Sequence, residues 1–268
     1  MKKQFIALLL VVMSIVYTVP AMGAQEQEKA DSCVGQAVDT CSSSMITIAY
    51  TQLDEVIKDK MGIPMLTVQG NTPTVTIGAH KKVSSRINAF YKKKVKELKV
   101  QEKEYTKMAG EDYNQRTQDE KKYWEGYGLG RTYSQGRVDE KVMSIIENNY
   151  EYTGGAHPNA TRVAQTFSTQ TGKQLTLGDV LTDEAKADEF INGFILQETK
   201  KYEYKDYFFE DYQQHIKELL TENTWYLSDE GFVIISNEYI ISPHVVGILE
   251  FTIPYDQFQY LKPEYRPQ

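Results

Sequence analysis

Between Tyr150 and Leu181 the run YEYTGGAHPNATRVAQTFSTQTGKQLTLGDVL changes backbone character three times. Gly154 and Gly155 reach φ values closed to other residues, and Pro158 fixes its own φ without offering an N–H. Gly-Gly-Ala-His-Pro must therefore be a bent connection, with one strand entering and another leaving. Beyond the bend, Val163, Gln165 and Phe167 alternate with Arg162, Ala164 and Thr166, the period of a half-buried strand. Thr171-Gly172-Lys173 supplies a turn before Leu175 and Leu177 resume on one face, which predicts a β-hairpin. Thr176 and Asp179 stand at capping-box spacing, so a helical turn is expected to begin there.

The N-terminus constrains where such a chain works. Lys2 and Lys3 precede an apolar run from Phe5 to Val19. Pro20 breaks it, and Ala21-Met22-Gly23 places small residues at the −3 and −1 positions of a signal-peptidase site. Cleavage is expected after Gly23, which makes residues 1–23 a signal peptide and the protein secreted or periplasmic. The run is shorter than the ~20 residues of a membrane span, so no transmembrane span is expected after cleavage, a retained anchor being the competing reading. Residues 24–44 are polar and aperiodic and read as a linker. Cys33 and Cys41, the only cysteines, are expected to form a local disulfide in an exported chain.

With 268 residues, 41% of them hydrophobic, the chain can bury one substantial core or two modest ones, which excludes a disordered or fibrous protein. Its formal charge is −7 and its basic runs alternate with acids. Nucleic acid is therefore excluded as a partner, because phosphate neutralisation needs a continuous basic face.

Along the chain, Ile46 and Ile48 alternate within Met45–Tyr50, and Ile63–Gln69 and Thr74–Ile77 predict two more strands separated by a turn at Gly70-Asn71-Thr72-Pro73. From Lys81 the period shifts. Val83, Ile87, Tyr91, Val95, Leu98 and Tyr105 share one face of a helix expected to end at Gly110. The lysines from Lys92 to Lys99, interleaved with Glu97, Glu102 and Glu104, read as a solvated outer face. Glu111–Trp124 predicts a second helical piece. Tyr127–Tyr133 and Val138–Tyr152 predict strands interrupted at Ser134-Gln135-Gly136, where a boundary between an N-terminal domain (45–136) and a C-terminal domain (137–268) is placed. Later elements are helices over Ala185–Lys201 and Tyr207–Leu220, paired strands at Trp225–Leu227 and Phe232–Ser236, and a final strand over Val245–Ile253. Runs of strands with inserted helices predict an α+β fold, with mainly antiparallel sheets and packed helices in two consecutive subdomains.

Chemistry-bearing residues are scarce. His80, His157, His215 and His244 lie far apart with no recognised ligand spacing, so no metal is expected, and nothing calls for a cofactor. Asp211 and His215 share a helix face that reads as solvent-facing. No GxSxG elbow occurs, and neither cysteine has a histidine partner in sequence. Glu250 stands alone in an apolar strand and is the acid to watch, although the exposed side of a half-buried strand ordinarily carries such a charge. Tyr150 and Tyr152 share a face at the core or its rim. His157 reads either as a contact or pH-sensitive hydrogen bond on a binding surface, or as a ring bracing the glycine turn. The expected binding residues are Tyr152, Gly154, Gly155, His157 and Asn159, with no catalytic residue among them.

The same residues carry a family resemblance. Tyr150, Tyr152 to His157, the strand ending at Phe167, and Thr171-Gly172-Lys173 through Leu175-Thr176-Leu177 to Asp179 resemble the extracellular domain of the lysozyme-sensing anti-sigma-V factor and related secreted bacterial proteins of unknown function. Trp225–Leu227, Asp229–Ile234, Ser242-Pro243, Val246-Gly247 and Glu250–Tyr255 resemble the closing strands of that family. The segment Thr74–Leu98 resembles a companion domain also found in some peptidoglycan deacetylases. The resemblance implies an exported, non-enzymatic binding module for a protein ligand such as lysozyme or another cell-wall-active enzyme. The alternative it implies is a peptidoglycan-binding or peptidoglycan-processing accessory protein. An acidic chain would steer a basic lysozyme into encounter and repel anionic wall polymer. Only four residues precede the apolar run, so the sigma-binding segment of an anti-sigma factor is not expected here, nor is a catalytic domain after Tyr255.

Overall fold

In the computed structural model, which describes residues 45–78, 80–203 and 205–267, the first hairpin is longer than its apolar alternation predicts. Strands β1 (Ile46–Lys58) and β2 (Pro64–Ile77) pair antiparallel from Ile46 opposite Ile77 to Lys58 opposite Pro64. The expected signal peptide, linker and Cys33–Cys41 pairing lie outside the described residues. The turn predicted at Gly70-Asn71-Thr72-Pro73 is instead continuous strand. Gly70 serves a close approach: its φ is +153°, and a Cβ there would collide with the Arg131 carbonyl.

Arg131 belongs to β3 (Tyr127–Val138), which runs parallel to β2 from Leu66 opposite Tyr127 to Gly70 opposite Arg131. Parallel neighbours need a crossover, and helix α1 (Lys81–Gln115) supplies it. This pair is the exception to the antiparallel pattern. Beyond Gly70 side chains replace the ladder. Asn71 accepts from the Tyr133 N–H (2.7 Å) and donates to the Tyr133 carbonyl (3.2 Å). Asn88 on α1 does the same for Val75, at 2.8 and 2.9 Å, and Ser84 accepts from the Ile77 N–H.

Helix α1 passes through Gly110, where an end was expected. A mid-helix glycine costs about 1 kcal/mol. Burial of Ala109, with Tyr105, Tyr113 and Trp124 packed against Met65, Leu66, Val68 and Leu129, offsets that cost. The second helical piece is confined to α2 (Gln118–Lys121), opened by a Thr117–Glu120 capping box.

Strand β4 (Val142–Tyr152) follows a turn at Asp139, whose Oδ1 accepts from the Lys141 and Val142 N–H groups. At Ser134–Gly136 the chain makes a register shift between Gln135 and Val138, not a break, and position 136 falls inside β3. With β5 (Asn159–Ser168) the sheet order is β1-β2-β3-β4-β5. The hairpin expected after β5 is reduced to one bridge, Phe167 opposite Gln174, because the Thr176–Asp179 capping box turns the chain into α3 (Leu177–Val180).

The remaining elements build a smaller antiparallel sheet of β6 (Trp225–Leu227), β7 (Gly231–Ser236) and β8 (Leu249–Pro254). Helix α4 (Glu184–Lys201) is capped by Asp183 and buries Ala187, Ile191 and Ile195 against it. The helix predicted over Tyr207–Leu220 is broken into short turns around α5 (Tyr212–His215). His215 lies exposed between Glu218 and Asp211, which hold its pKa above the ordinary value. His244–Val246 forms a 3-10 turn where the last strand was expected to begin.

Strand β7 is buried on both faces. Phe232 and Ile234 meet α4, while Val233 and Ile235 join Tyr226, Ile146 and Ala164 between the two sheets. Four layers result: α1, the five-stranded sheet, the three-stranded sheet and α4. The fold is α+β with two mainly antiparallel sheets.

Replacing Asn88 with Ala strands the N–H and C=O of Val75, and equilibrium denaturation should show a loss of roughly 1–3 kcal/mol; an unchanged midpoint would mean the strand edge is satisfied otherwise. The Thr176 backbone N–H, then Lys173, hold the Asp179 carboxyl down to about 2. A depressed folded pKa contributes stability above the unfolded value, near 4, that is lost as pH falls toward 2. The stability gap between the wild type and Asp179→Asn is therefore expected to be full at pH 6 and to close between pH 4 and 2. A gap that is constant over that window would contradict the assignment.

Candidate functional site

One face of the five-stranded sheet is closed by α1. Odd-numbered residues of β3 and β4 point there: Arg131 bonds Asn149, Gln101 and the Lys94 carbonyl, and buried Glu147 pairs with Lys94 at 3.2 Å. The even-numbered residues point the other way, where the narrower sheet covers β3 at Gly136 and the end of β4 and β5 near Ile146 and Ala164. The uncovered part is a cleft of about 560 Å³. Thr67 and Gln69 of β2, Gly128, Gly130 and Thr132 of β3, and Asn148, Tyr150 and Tyr152 of β4 line it.

Its floor follows from register. Gly128 lies opposite Tyr152 and Gly130 opposite Tyr150. A Cβ at either glycine would come within 3.0 Å of the Tyr150 side chain, so that side chain runs along β3 in space that two side chains would otherwise fill. An aromatic laid over strand glycines restores the packing they forgo. The ring is still 44% exposed.

One wall is polar and internally paired. Arg162 Nη1 meets Glu250 at 3.0 Å, and its Nε donates to Asn148 at 2.7 Å. The Tyr226 hydroxyl donates to the other Glu250 oxygen at 3.2 Å. Burial, then the Glu250 charge, raises the Tyr226 pKa, so the phenol stays protonated as that donor. Asn237 accepts from the Arg162 N–H and donates to its carbonyl, closing the free edge of β5. Glu250, the acid singled out in the sequence, is thus the counter-ion of an arginine.

The glycine-histidine loop rises at the rim. Gly154 and Gly155 take φ of +92° and +102°, and the Tyr152 hydroxyl donates to the Gly155 carbonyl. His157 Nδ1 donates to the Pro158 carbonyl at 2.9 Å, and its Nε2 is hydrogen-bonded to Tyr239 Oη at 3.2 Å. Its ring stacks on His244 with centroids 3.9 Å apart and planes 11° apart. His244 is held in turn by Glu238 at 2.7 Å, a carboxylate only 6% exposed. Tyr239 adopts φ +67°, strained for a non-glycine residue.

Among the residues expected to bind, Tyr152 lines the cleft, Gly154, Gly155 and His157 form the exposed loop beside it, and Asn159 is the exposed first residue of β5. Sequence reasoning passed over Gly128 and Gly130, and over Arg162, Glu238, Tyr239 and His244. The alternation Gly128-Leu129-Gly130 opposite Tyr150 and Tyr152 was a usable signal; His157 and Tyr239, 82 positions apart, offered none. Among the described residues no group of three or more His, Cys, Asp or Glu side chains is placed to hold a metal ion. No described helix is long and apolar enough to cross a membrane.

Residues 62–160 match the family described as "Deacetylase PdaC", and residues 178–256 match "Protein of unknown function (DUF3298)". The chain carries both domains. No curated protein matches it. Solved structures share the fold, among them two of the DUF3298 family. A DUF3298 family member from Bacteroides fragilis is 18% identical with a TM-score of 0.64, covering 83% of this chain and 96% of its own. A DUF3298 family protein from Pseudomonas aeruginosa is 14% identical with a TM-score of 0.56, covering 84% and 99%. The PdaC domain contributes β2, α1, β3, β4 and the loop with His157; the DUF3298 domain contributes the small sheet, Glu238, Tyr239 and His244. The histidine stack therefore joins the two domains at the cleft rim.

Aromatic stacking contributes about 0.5–1.5 kcal/mol, so His244→Ala should speed hydrogen exchange of the amides from Thr153 to His157 by roughly two- to twelvefold. Exchange rates identical to wild type would show that the loop is held by its own turn alone.

Proposed function

We propose that the protein is an exported, non-catalytic binding module of the cell envelope, that the cleft and its rim loop are its binding face, and that its ligand is peptidoglycan. The observation that carries this reading is the cleft itself. It is open, floored by an aromatic ring, and its arginine is already neutralised by Glu250. Such a site offers orientation and contact area, and its arginine carries no net charge to a ligand. The resemblance of Thr74–Leu98 to a companion domain of peptidoglycan deacetylases suggests the wall as the setting, and the apolar N-terminal run followed by Ala21-Met22-Gly23 supports export.

The exposed loop, pinned by stacked histidines, favours a second reading in which the ligand is a protein such as lysozyme. Rigid protruding loops suit protein recognition, and the formal charge of −7 suits a basic partner. The Arg162–Glu250 pair beside the cleft is neutral and gives a basic partner no charge to meet there, which is why the wall reading stands first.

Co-sedimentation with purified peptidoglycan, assay of the supernatant for sugars and acetate, and titration with lysozyme at low and moderate salt separate the readings. The protein is expected to sediment with the wall and to release neither product. Release of acetate or sugar would contradict the non-catalytic assignment. Absence from the pellet together with micromolar lysozyme binding would replace peptidoglycan by the protein ligand.

A further inference from the structure

We infer that the part of the wall polymer held in the cleft is its neutral glycan, with one pyranose ring stacked on Tyr150, and not its charged stem peptide. This rests on the binding-face reading above and adds the chemical class of the occupant.

The Tyr150 side chain runs along Gly128 and Gly130, with Cε1 over the first and Cβ over the second, so the strand supports it along one edge. A ring backed in this way offers a rigid apolar face at low entropic cost to any flat, weakly apolar partner. The axial C–H face of a pyranose is such a partner. Around the ring stand groups that both donate and accept. The Thr67 and Thr132 hydroxyls carry no hydrogen bond to another described residue, and Asn148 spends only its Oδ1, on Arg162. Gln69 donates to Asp54 and keeps its Oε1 as an acceptor. Sugar hydroxyl and acetamido groups have that same dual character.

Charge decides against the alternative. A stem peptide brings carboxylates and an ammonium; Glu125 could meet the ammonium, but the only cation among the described residues lining the cleft, Arg162, is already paired. Arg162 is neutralised by Glu250 and bonded to Asn148, so a ligand carboxylate would have to share the guanidinium with Glu250 and meet that charge. Glu125 at the cleft end and the overall charge of −7 repel anionic polymer. A neutral saccharide meets no such cost. The cleft volume of about 560 Å³ falls within the ordinary range for a small-molecule site.

The test is calorimetric and NMR titration of the full chain with an N-acetylglucosamine hexamer, with a free synthetic stem peptide, and with insoluble peptidoglycan in a sedimentation assay. The hexamer is expected to bind saturably and the stem peptide not at all. Tyr150→Ala should weaken the hexamer about tenfold or more, as loss of a central aromatic anchor does. Tyr150→Phe, which keeps the ring and its seat on the glycines, should stay within about threefold of wild type. It also controls for a misfolded alanine variant. Sedimentation with peptidoglycan but saturable binding of the stem peptide alone would overturn the glycan assignment and leave the binding face standing. Failure of all three ligands to bind would sink both. Hexamer binding that is indifferent to Tyr150→Ala would place the glycan elsewhere and overturn the inference as well.

Discussion

A five-stranded sheet has two faces to cover, and here they are covered by elements of unequal width. Helix α1 is 35 residues long and spans the sheet from Val83, beside Val75 and Ile77, to Tyr113, beside Leu129. The opposite face meets only three strands, the longest of six residues. Their apolar contact gathers at Val142, which joins Leu227 and Phe232, and at Ile146 and Ala164 against Tyr226, Val233 and Ile235. Beyond it the sheet must end its own hydrophobicity, and it does so with glycine, threonine, asparagine and glutamine. The cleft is the remainder of that mismatch, and the charge pair of Arg162 and Glu250 marks its border.

Two uses of glycine in the large sheet follow from close approach. At Gly70 no side chain fits between β2 and the Arg131 carbonyl, so glycine lets the backbones meet. At Gly128 and Gly130 the space vacated above the strand is filled by the Tyr150 ring, so glycine lets a side chain lie down. The first sets the parallel pairing that forces α1 across one face. The second gives the other face its aromatic floor. The rim loop is a separate device. Gly154 and Gly155 bend it, and its geometry is fixed by rings that arrive from a segment far along the chain, with Glu238 holding His244 and His244 holding His157.

What could be read from the sequence was whatever a local pattern encodes. The α1 stripe from Val83 to Tyr105, the Thr176–Asp179 cap, α4, and the run Phe232-Val233-Ile234-Ile235 as a strand of the closing sheet were all legible. Gly70-Asn71-Thr72-Pro73 misled because its composition is that of a turn, while its conformation answers to Arg131, sixty-one positions later. The turn at Asp139 was hidden for the opposite reason: a carboxylate accepting from two backbone amides does the work that Gly or Pro would announce. The loop and Tyr152 stood out through their glycines and aromatics. The floor beneath them depended on strand register, which alternation alone does not set between strands that neighbour two partners.

A ligand on the uncovered half of the sheet would cover β3, β4 and the start of β5 together. Hydrogen-exchange mass spectrometry of the full chain with and without solubilised peptidoglycan fragments measures it directly. Added protection is predicted in the segments 128–132, 148–158 and 160–162, with the outer strand β1 and helix α4 unchanged. Protection confined to β1 or α4, with those three segments exchanging as in the free protein, would contradict it.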